Sequence, residues 1–121
     1  PNYVNPQDSV EPTPIFTAIM SLNEANVQAL IDSGANLNYK RPAGEETPMM
    51  AAATLNQWRV VYILLTAGAD YSVRDRWNYS ITYYIENNNI VANTELYRWR
   101  QKVVAFLEAN GVSVSAQAPL R

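Results

Sequence analysis

One short sequence unit occurs twice in this chain at a fixed distance, and this repetition constrains the fold more than composition does. Residues 13–18 read TPIFTA and residues 47–52 read TPMMAA, with the two threonines 34 positions apart. Each copy runs on to a closing signal, Gly-Ala-Asn at residues 34–36 and Gly-Ala-Asp at residues 68–70. A period of this length is typical of stacked helical repeats, in which each unit covers the apolar face of its neighbour. The sequence therefore predicts a helical solenoid, an architecture that usually binds other molecules and seldom performs chemistry.

Each unit carries signals for the ends of two helices. The Thr-Pro pairs predict helix starts, because the threonine hydroxyl can cap the helix and proline fits its first position. The first short helix is expected to end near Met20, and Ser21 to cap the second helix with Glu24 in a capping box. Gly34 and Gly68 are expected to end the second helix of each unit in the left-handed conformation.

A third and less regular unit follows. Asn78 stands where glycine is usual in the turn, Ser80 takes the place of the capping threonine, and Gly111 follows Gly68 at 43 positions. The extra length, about ten residues between roughly 87 and 100, predicts a loop followed by an elongated last helix that covers the end of the stack. The predicted divisions are an extended N-terminal arm at 1–12, repeats at about 13–46, 47–79 and 80–114, and a C-terminal tail at 115–121.

Composition excludes several classes of function. The 121 residues fit one domain, and a net charge of −2 with nine scattered Lys and Arg residues gives no basic face for nucleic acid. The chain lacks histidine and cysteine, so it has neither the usual general base nor the commonest zinc ligands. A repeat surface also lacks the cleft that would raise the pKa of acids such as Asp70 or Asp75. We therefore predict no enzymatic activity, no metal, no cofactor and no membrane insertion.

The clearest copy resembles an ankyrin repeat. It combines TPMMAAA at residues 47–53, the apolar core of residues 60–65 and AGAD at residues 67–70. The resemblance extends over residues 13–114 and departs at Met50, where the family usually has a histidine, so packing is expected to replace that hydrogen bond. It implies an all-α ankyrin-repeat solenoid of three helix-turn-helix repeats with an elongated C-terminal capping helix.

The same resemblance implies a concave partner-binding face, formed by the tips of the connecting fingers and the exposed side of the first helices. Tryptophan, tyrosine and arginine dominate the binding energy of such faces. For Trp77 and Tyr79, packing on their own finger or on the adjacent repeat remains the alternative. Acidic Glu45 and Glu46 would add specificity if the partner has a basic rim. The residues carried over are Tyr39, Arg41, Glu45 and Glu46 in the first finger, Arg74, Arg76, Trp77 and Tyr79 in the second, and Thr54, Leu55, Tyr83, Asn87 and Asn88 on the inner helices.

Three segments of the third unit are similar to small exported ankyrin proteins of Gram-negative bacteria that are found beside type VI secretion effectors. They are DRWN at residues 75–78, the helix at 80–86 and ELYRWRQKV at 95–103. This resemblance implies an immunity protein, monomeric alone, that inhibits a secreted antibacterial effector sterically as a heterodimer. A phospholipase-type effector and a periplasmic location are favoured, and a removed signal peptide would explain a start at Pro1. The alternatives are a cytoplasmic scaffold or adaptor, a host-directed bacterial ankyrin protein, and a protein that supports a periplasmic enzyme.

Overall fold

The computed structural model describes residues 14–87 and 94–114. The predicted N-terminal arm, the Thr13 cap, Asn88 and the C-terminal tail lie outside the described residues. Within these ranges the chain is all-helical with no strand, which confirms the predicted fold class. The helices are α1 (Pro14–Met20), α2 (Glu24–Asp32), α3 (Pro48–Thr54), α4 (Trp58–Thr66), α5 (Ile81–Glu86) and α6 (Glu95–Ala109).

The helices form two layers. In the inner layer α1 contacts α3 and α3 contacts α5, whereas in the outer layer α2 contacts α4 and α4 contacts α6. The pairs α1 with α2 and α3 with α4 join the layers. The residues that connect each outer helix to the next inner helix are called here the first finger (residues 33–47) and the second finger (residues 67–80).

The middle of the stack is its most apolar part. Consecutive alanines Ala51, Ala52 and Ala53 on α3 are all buried, and their small side chains let neighbouring helices approach closely. From the outer layer, the fully buried side chains of Trp58 and Leu64 belong to the same core cluster. The second repeat therefore holds the two layers together.

Several local predictions are confirmed at the ends of the helices. Thr47 caps α3 by accepting a hydrogen bond from the Met50 backbone N–H at 3.3 Å. Gly34 and Gly68 follow their helices with φ values of +91° and +103°. Asn78 adopts φ +69°, the left-handed turn that asparagine tolerates better than most residues.

The predicted start of α2 is wrong. Asn23 caps this helix by accepting a hydrogen bond from the Asn26 backbone N–H at 3.1 Å, whereas the Ser21 hydroxyl donates back to the Thr17 carbonyl at 2.8 Å. The reason is the turn between the helices, where Leu22 adopts a left-handed φ of +60°. This turn places Asn23 beside the free N–H groups that begin α2.

The last unit differs from the others, and its elongated last helix confirms the prediction, whereas most of the predicted loop before that helix lies outside the described residues. The predicted cap of α5 is wrong: the helix has six residues, and the Ser80 hydroxyl makes no capping bond because it is hydrogen-bonded to the Thr82 hydroxyl at 3.0 Å. Helix α6 has 15 residues and packs along α4, burying Val103 and Leu107 completely. On the same interface Tyr62 lies against the ring of Trp99, with the centroids 5.6 Å apart. The elongated α6 thus covers the end of the stack.

Candidate functional site

The first finger is closed by ion pairs between adjacent segments. The Arg41 backbone N–H donates to the Glu46 carbonyl at 2.9 Å, and the Arg41 guanidinium lies 2.6 Å from the Glu46 carboxylate. That guanidinium also lies 4.9 Å above the centre of the Phe16 ring on α1. Nearby, Lys40 and Glu45 form a second, more exposed pair at 3.7 Å. Both acids predicted to meet a partner are therefore already matched by a cation of this chain.

Tyr39, the aromatic residue of the first finger, is half-buried. Its ring meets Phe16 edge-on, with the centroids 6.2 Å apart and the planes at 72°. Edge-to-face contacts of this kind stabilise aromatic pairs beyond their buried area. The contact attaches the first finger to α1 and turns much of the Tyr39 ring towards the core.

The second finger is organised around the buried carboxylate of Asp75. One carboxylate oxygen accepts hydrogen bonds from the backbone N–H groups of Trp77 at 2.9 Å and Tyr79 at 3.0 Å. The other accepts a bond from the Tyr84 hydroxyl on α5 at 2.6 Å. The Asp75 backbone N–H also donates to the Tyr79 carbonyl at 2.9 Å, so one residue fixes both the turn and its attachment to the inner layer.

These hydrogen bonds set the protonation of Asp75. Burial by itself raises the pKa of its carboxyl, but the bonds from the Tyr84 hydroxyl and from the N–H groups of Tyr79 and Trp77 stabilise the ionised form and lower the pKa overall. Burial and the Asp75 charge together raise the pKa of the Tyr84 hydroxyl. Asp75 is therefore a charged structural residue at neutral pH.

The two fingers are joined to each other by hydrogen bonds. The Arg76 backbone N–H donates to the Gly44 carbonyl at 2.9 Å, and the Arg76 guanidinium donates to the Pro42 carbonyl at 3.1 Å. Nearer the helices, the Asp70 backbone N–H donates to the side-chain oxygen of Asn38 at 2.8 Å. The finger tips therefore form one continuous surface.

Trp77 lies at the centre of that surface. It is 61% exposed, yet its ring rests over Gly44 of the first finger, where an added Cβ would come within 3.3 Å of Trp77 Cζ3. Gly44 adopts φ +70°, a second reason for glycine at this position. Trp77 thus packs on the adjacent repeat and still offers most of its area to a partner.

Two tyrosines extend the aromatic surface from the second finger to α5. The rings of Tyr79 and Tyr83 are stacked with centroids 3.6 Å apart and planes at 8°. They are 39% and 37% exposed, and Tyr83 meets Tyr84 edge-on at 5.9 Å. Trp77, Tyr79 and Tyr83 together are called the aromatic face.

Of the other predicted contact residues, Arg74 and Asn87 are bonded to residues of or beside the aromatic face. Arg74 is exposed, and its guanidinium donates to the Asn78 carbonyl at 2.8 Å. Asn87 is exposed after α5, with its amide donating to the Tyr83 carbonyl at 3.0 Å. Thr54 and Leu55 are exposed at the end of α3. The structure therefore connects the predicted residues of the second finger with those of α5, and it records no contact that joins Thr54 or Leu55 to them.

Within residues 14–87 and 94–114, no group of three or more His, Cys, Asp or Glu side chains is placed to hold a metal ion. None of the helices there is both long enough and apolar enough to cross a membrane.

Comparison with known proteins agrees with this architecture. A family model described as "Ankyrin repeats (3 copies)" matches residues 1–75, more than half of the chain. No curated protein sequence matches significantly. Among solved structures, the ankyrin repeat domain of Bcl-3, a member of the IkappaB protein family, aligns over 88% of this chain with a TM-score of 0.66 and 20% identity. The chain spans 42% of that structure's length, and at this identity the likeness shows the fold alone.

The family match ends at Asp75, within the second finger and before the irregular third repeat, whereas the structural alignment covers most of the chain. The predicted ankyrin fold is confirmed by both. Together with the two helical layers and the joined fingers, the match shows that the chain belongs to the ankyrin-repeat family.

Proposed function

We propose that the chain is a protein-binding module and that the aromatic face is the centre of its binding surface. The observation that carries the proposal is the exposure of three large aromatic side chains, two on a finger that hydrogen bonds hold in place and one on α5 beside it. A side chain that is already positioned loses little conformational freedom on association, so more of the buried area contributes to affinity. Tryptophan and tyrosine are also the residue types most enriched at energetically important contacts.

A narrower proposal follows from the resemblance of the third unit to small exported bacterial ankyrin proteins. In this proposal the chain is a periplasmic immunity protein that inhibits a secreted antibacterial effector by covering its active site, one copy per effector. A phospholipase-type effector suits the aromatic face, because its lipid-binding cleft is apolar and can accept Trp77 and the tyrosine pair. The support is the residue composition of the face together with the segments at 75–78 and 95–103.

The test is inhibition of a phospholipase-type enzyme, taken from the neighbouring gene where that gene encodes one. We expect equimolar protein to co-purify with the effector and to stop phospholipid hydrolysis, and Trp77→Ala to require a higher concentration for the same inhibition. Leu22→Ala is a matched control, because Leu22 is 69% exposed but lies in the turn between α1 and α2. Failure to co-purify, or hydrolysis that continues at equimolar protein, would refute the immunity proposal.

A scaffold or adaptor is the second candidate, and a second exposed apolar area favours it. Leu22 and Leu96, 69% and 42% exposed, border a groove that Trp58 and Trp99 also line. An adaptor needs two separate surfaces, whereas an inhibitor needs one. A complex in which Trp77→Ala and Leu22→Ala each release a different protein would support the adaptor. An export signal at the start of the gene and a neighbouring lipase gene would support the immunity protein. An export signal together with a neighbouring catalase-type gene would support the protein that assists a periplasmic enzyme.

A further inference from the structure

The acidic side chains of the fingers are largely engaged within the protein. Glu46 pairs with Arg41 at 2.6 Å and Glu45 with Lys40 at 3.7 Å. Asp75 is buried and accepts three hydrogen bonds from its own finger and from α5. Of the four finger carboxylates, those of Glu45 and Glu46 are thus paired with cations, that of Asp75 is buried, and that of Asp70 is exposed and bonded to Ser72.

The two exposed arginines of the second finger are in a different situation. Arg74 donates to the Asn78 carbonyl at 2.8 Å and Arg76 to the Pro42 carbonyl at 3.1 Å. Among residues 14–87 and 94–114, neither guanidinium forms a salt bridge with a carboxylate. A carbonyl oxygen holds a guanidinium in place without neutralising it, and other N–H donors of each group remain for a ligand. Both arginines are therefore held in position without an ion pair to a described carboxylate.

These two charges lie beside the aromatic face. Arg76 immediately precedes Trp77, and Arg74 is bonded to the turn residue between Trp77 and Tyr79. We infer that the partner segment that docks here is an acidic part of a protein, with Asp or Glu carboxylates on Arg74 and Arg76 and an apolar side chain against Trp77 and Tyr79. This inference rests on the proposed protein-binding function and specifies the chemistry of its partner.

The physical basis is the match between guanidinium and carboxylate. The planar guanidinium can bind a carboxylate through two parallel hydrogen bonds, and positive charge at the rim speeds encounter with an acidic surface. The sequence predicted instead that Glu45 and Glu46 would meet a basic rim of the partner, a charge opposite to the acidic one inferred here. The ion pairs of Glu45 and Glu46 reduce the negative charge that these residues can offer to a partner. In the described chain, no carboxylate forms an ion pair with Arg74 or Arg76. Nucleic acid is disfavoured, because two arginines on a chain of net charge −2 give little electrostatic attraction to a polyanion.

The first experiment selects ligands without assuming their sequence. A random-peptide display library is panned in parallel against the full chain, the double variant Arg74→Gln/Arg76→Gln and the control Arg98→Gln, which removes an exposed arginine of α6. We expect Asp and Glu to be enriched beside an apolar residue in peptides that bind the full chain and the control. That enrichment should be lost with the double variant.

The second experiment measures the effect of the charge directly. The best selected peptide and its Glu→Gln, Asp→Asn counterpart are titrated by fluorescence anisotropy at low and high salt. We expect the acidic peptide to bind the full chain about 5- to 30-fold more tightly at low salt, as for two charge-assisted contacts, and this ratio to shrink as salt screens the charges. The ratio should approach one for the double variant and remain for Arg98→Gln.

The outcomes separate this inference from the proposed function. If Trp77→Ala weakens binding but acidic and neutral peptides bind equally, the aromatic face remains a binding surface and the acidic partner is refuted. If a phosphoserine peptide or a single-stranded oligonucleotide binds more than about tenfold more tightly than the acidic peptide, the carboxylate partner is likewise refuted. If no peptide is enriched above the Trp77→Ala background, both the inference and the proposed function are contradicted.

Discussion

Replacing Asp75 by alanine tests how far one buried carboxylate determines the shape of the second finger. Asp75→Ala removes the acceptor of two backbone N–H groups and of the Tyr84 hydroxyl, which lie at 2.6 to 3.0 Å. Hydrogen bonds to charged groups contribute about 1.5–3 kcal/mol each, but the N–H groups of this surface turn can regain water. We therefore expect a total loss of about 2–4 kcal/mol in the free energy of unfolding, equivalent to a Tm lower by roughly 8–16 °C.

Asp70→Ala is the matched control for this substitution. Asp70 accepts bonds from the Ser72 N–H at 2.9 Å and the Ser72 hydroxyl at 2.6 Å, but it is exposed and holds no second element. Its removal should cost less than about 1 kcal/mol, because water can replace the lost acceptor. Thermal and urea unfolding followed by circular dichroism measure both variants. Equal losses for Asp70→Ala and Asp75→Ala would refute the structural role of the buried carboxylate.

The effect of Asp75→Ala on the free energy of unfolding should depend on pH. Because the folded protein lowers the pKa of Asp75, the unfolded chain binds its proton more readily. The stability contributed by this charge is fully present above the unfolded pKa of about 4 and is lost as the pH falls through the lower folded value. The difference in unfolding free energy between the wild type and Asp75→Ala should therefore shrink between pH 7 and pH 2.5. A difference that is constant across this range would show that the charge is not what stabilises the turn.

Three further substitutions test the core and the aromatic face. Leu64→Ala, at a fully buried position, should lower the free energy of unfolding by about 2–5 kcal/mol, and an unchanged denaturation midpoint would contradict the proposed register. Trp77→Ala should change stability by less than about 1 kcal/mol while weakening partner binding, since the side chain is 61% exposed, whereas a large loss of stability would mean that Trp77 mainly packs. Gly44→Ala should displace the Trp77 ring and alter its fluorescence, whereas Gly34→Ala, which meets nothing within 4 Å, should cause backbone strain of about 1 kcal/mol without that change.

Features that depend on local chemistry could be predicted from the sequence. The cap at Thr47, the left-handed Gly34 and Gly68 and the turn at Asn78 each follow from a residue type with a strong conformational preference. The start of α2 could not, because it depends on the left-handed φ of Leu22, a conformation that leucine seldom adopts. Local preference fails where the packing of two helices determines the turn.

In the candidate site, too, some features could be predicted from the sequence and others could not. The exposure of Trp77 and Tyr83 agrees with their predicted places on the finger and the inner helix. The sequence did not show that Arg41 and Glu46 pair, or that Asp75 bonds to Tyr84, because each contact depends on the exact register of the finger. The turn residue Asn78, three positions after Asp75, was a signal for the turn that Asp75 stabilises, but no local pattern indicates a bond to Tyr84 nine residues further on.

One of the two hydrogen bonds that join the finger tips runs from one peptide group to another, between the N–H of Arg76 and the carbonyl of Gly44. Such a link does not depend on the side chain at position 76, provided that this residue is not proline. Mutation can therefore exchange the exposed residues of the second finger while the scaffold keeps the two tips aligned. Because the backbone bond is independent of the exposed side chains, a lineage could acquire a new partner in a few substitutions without first losing its fold.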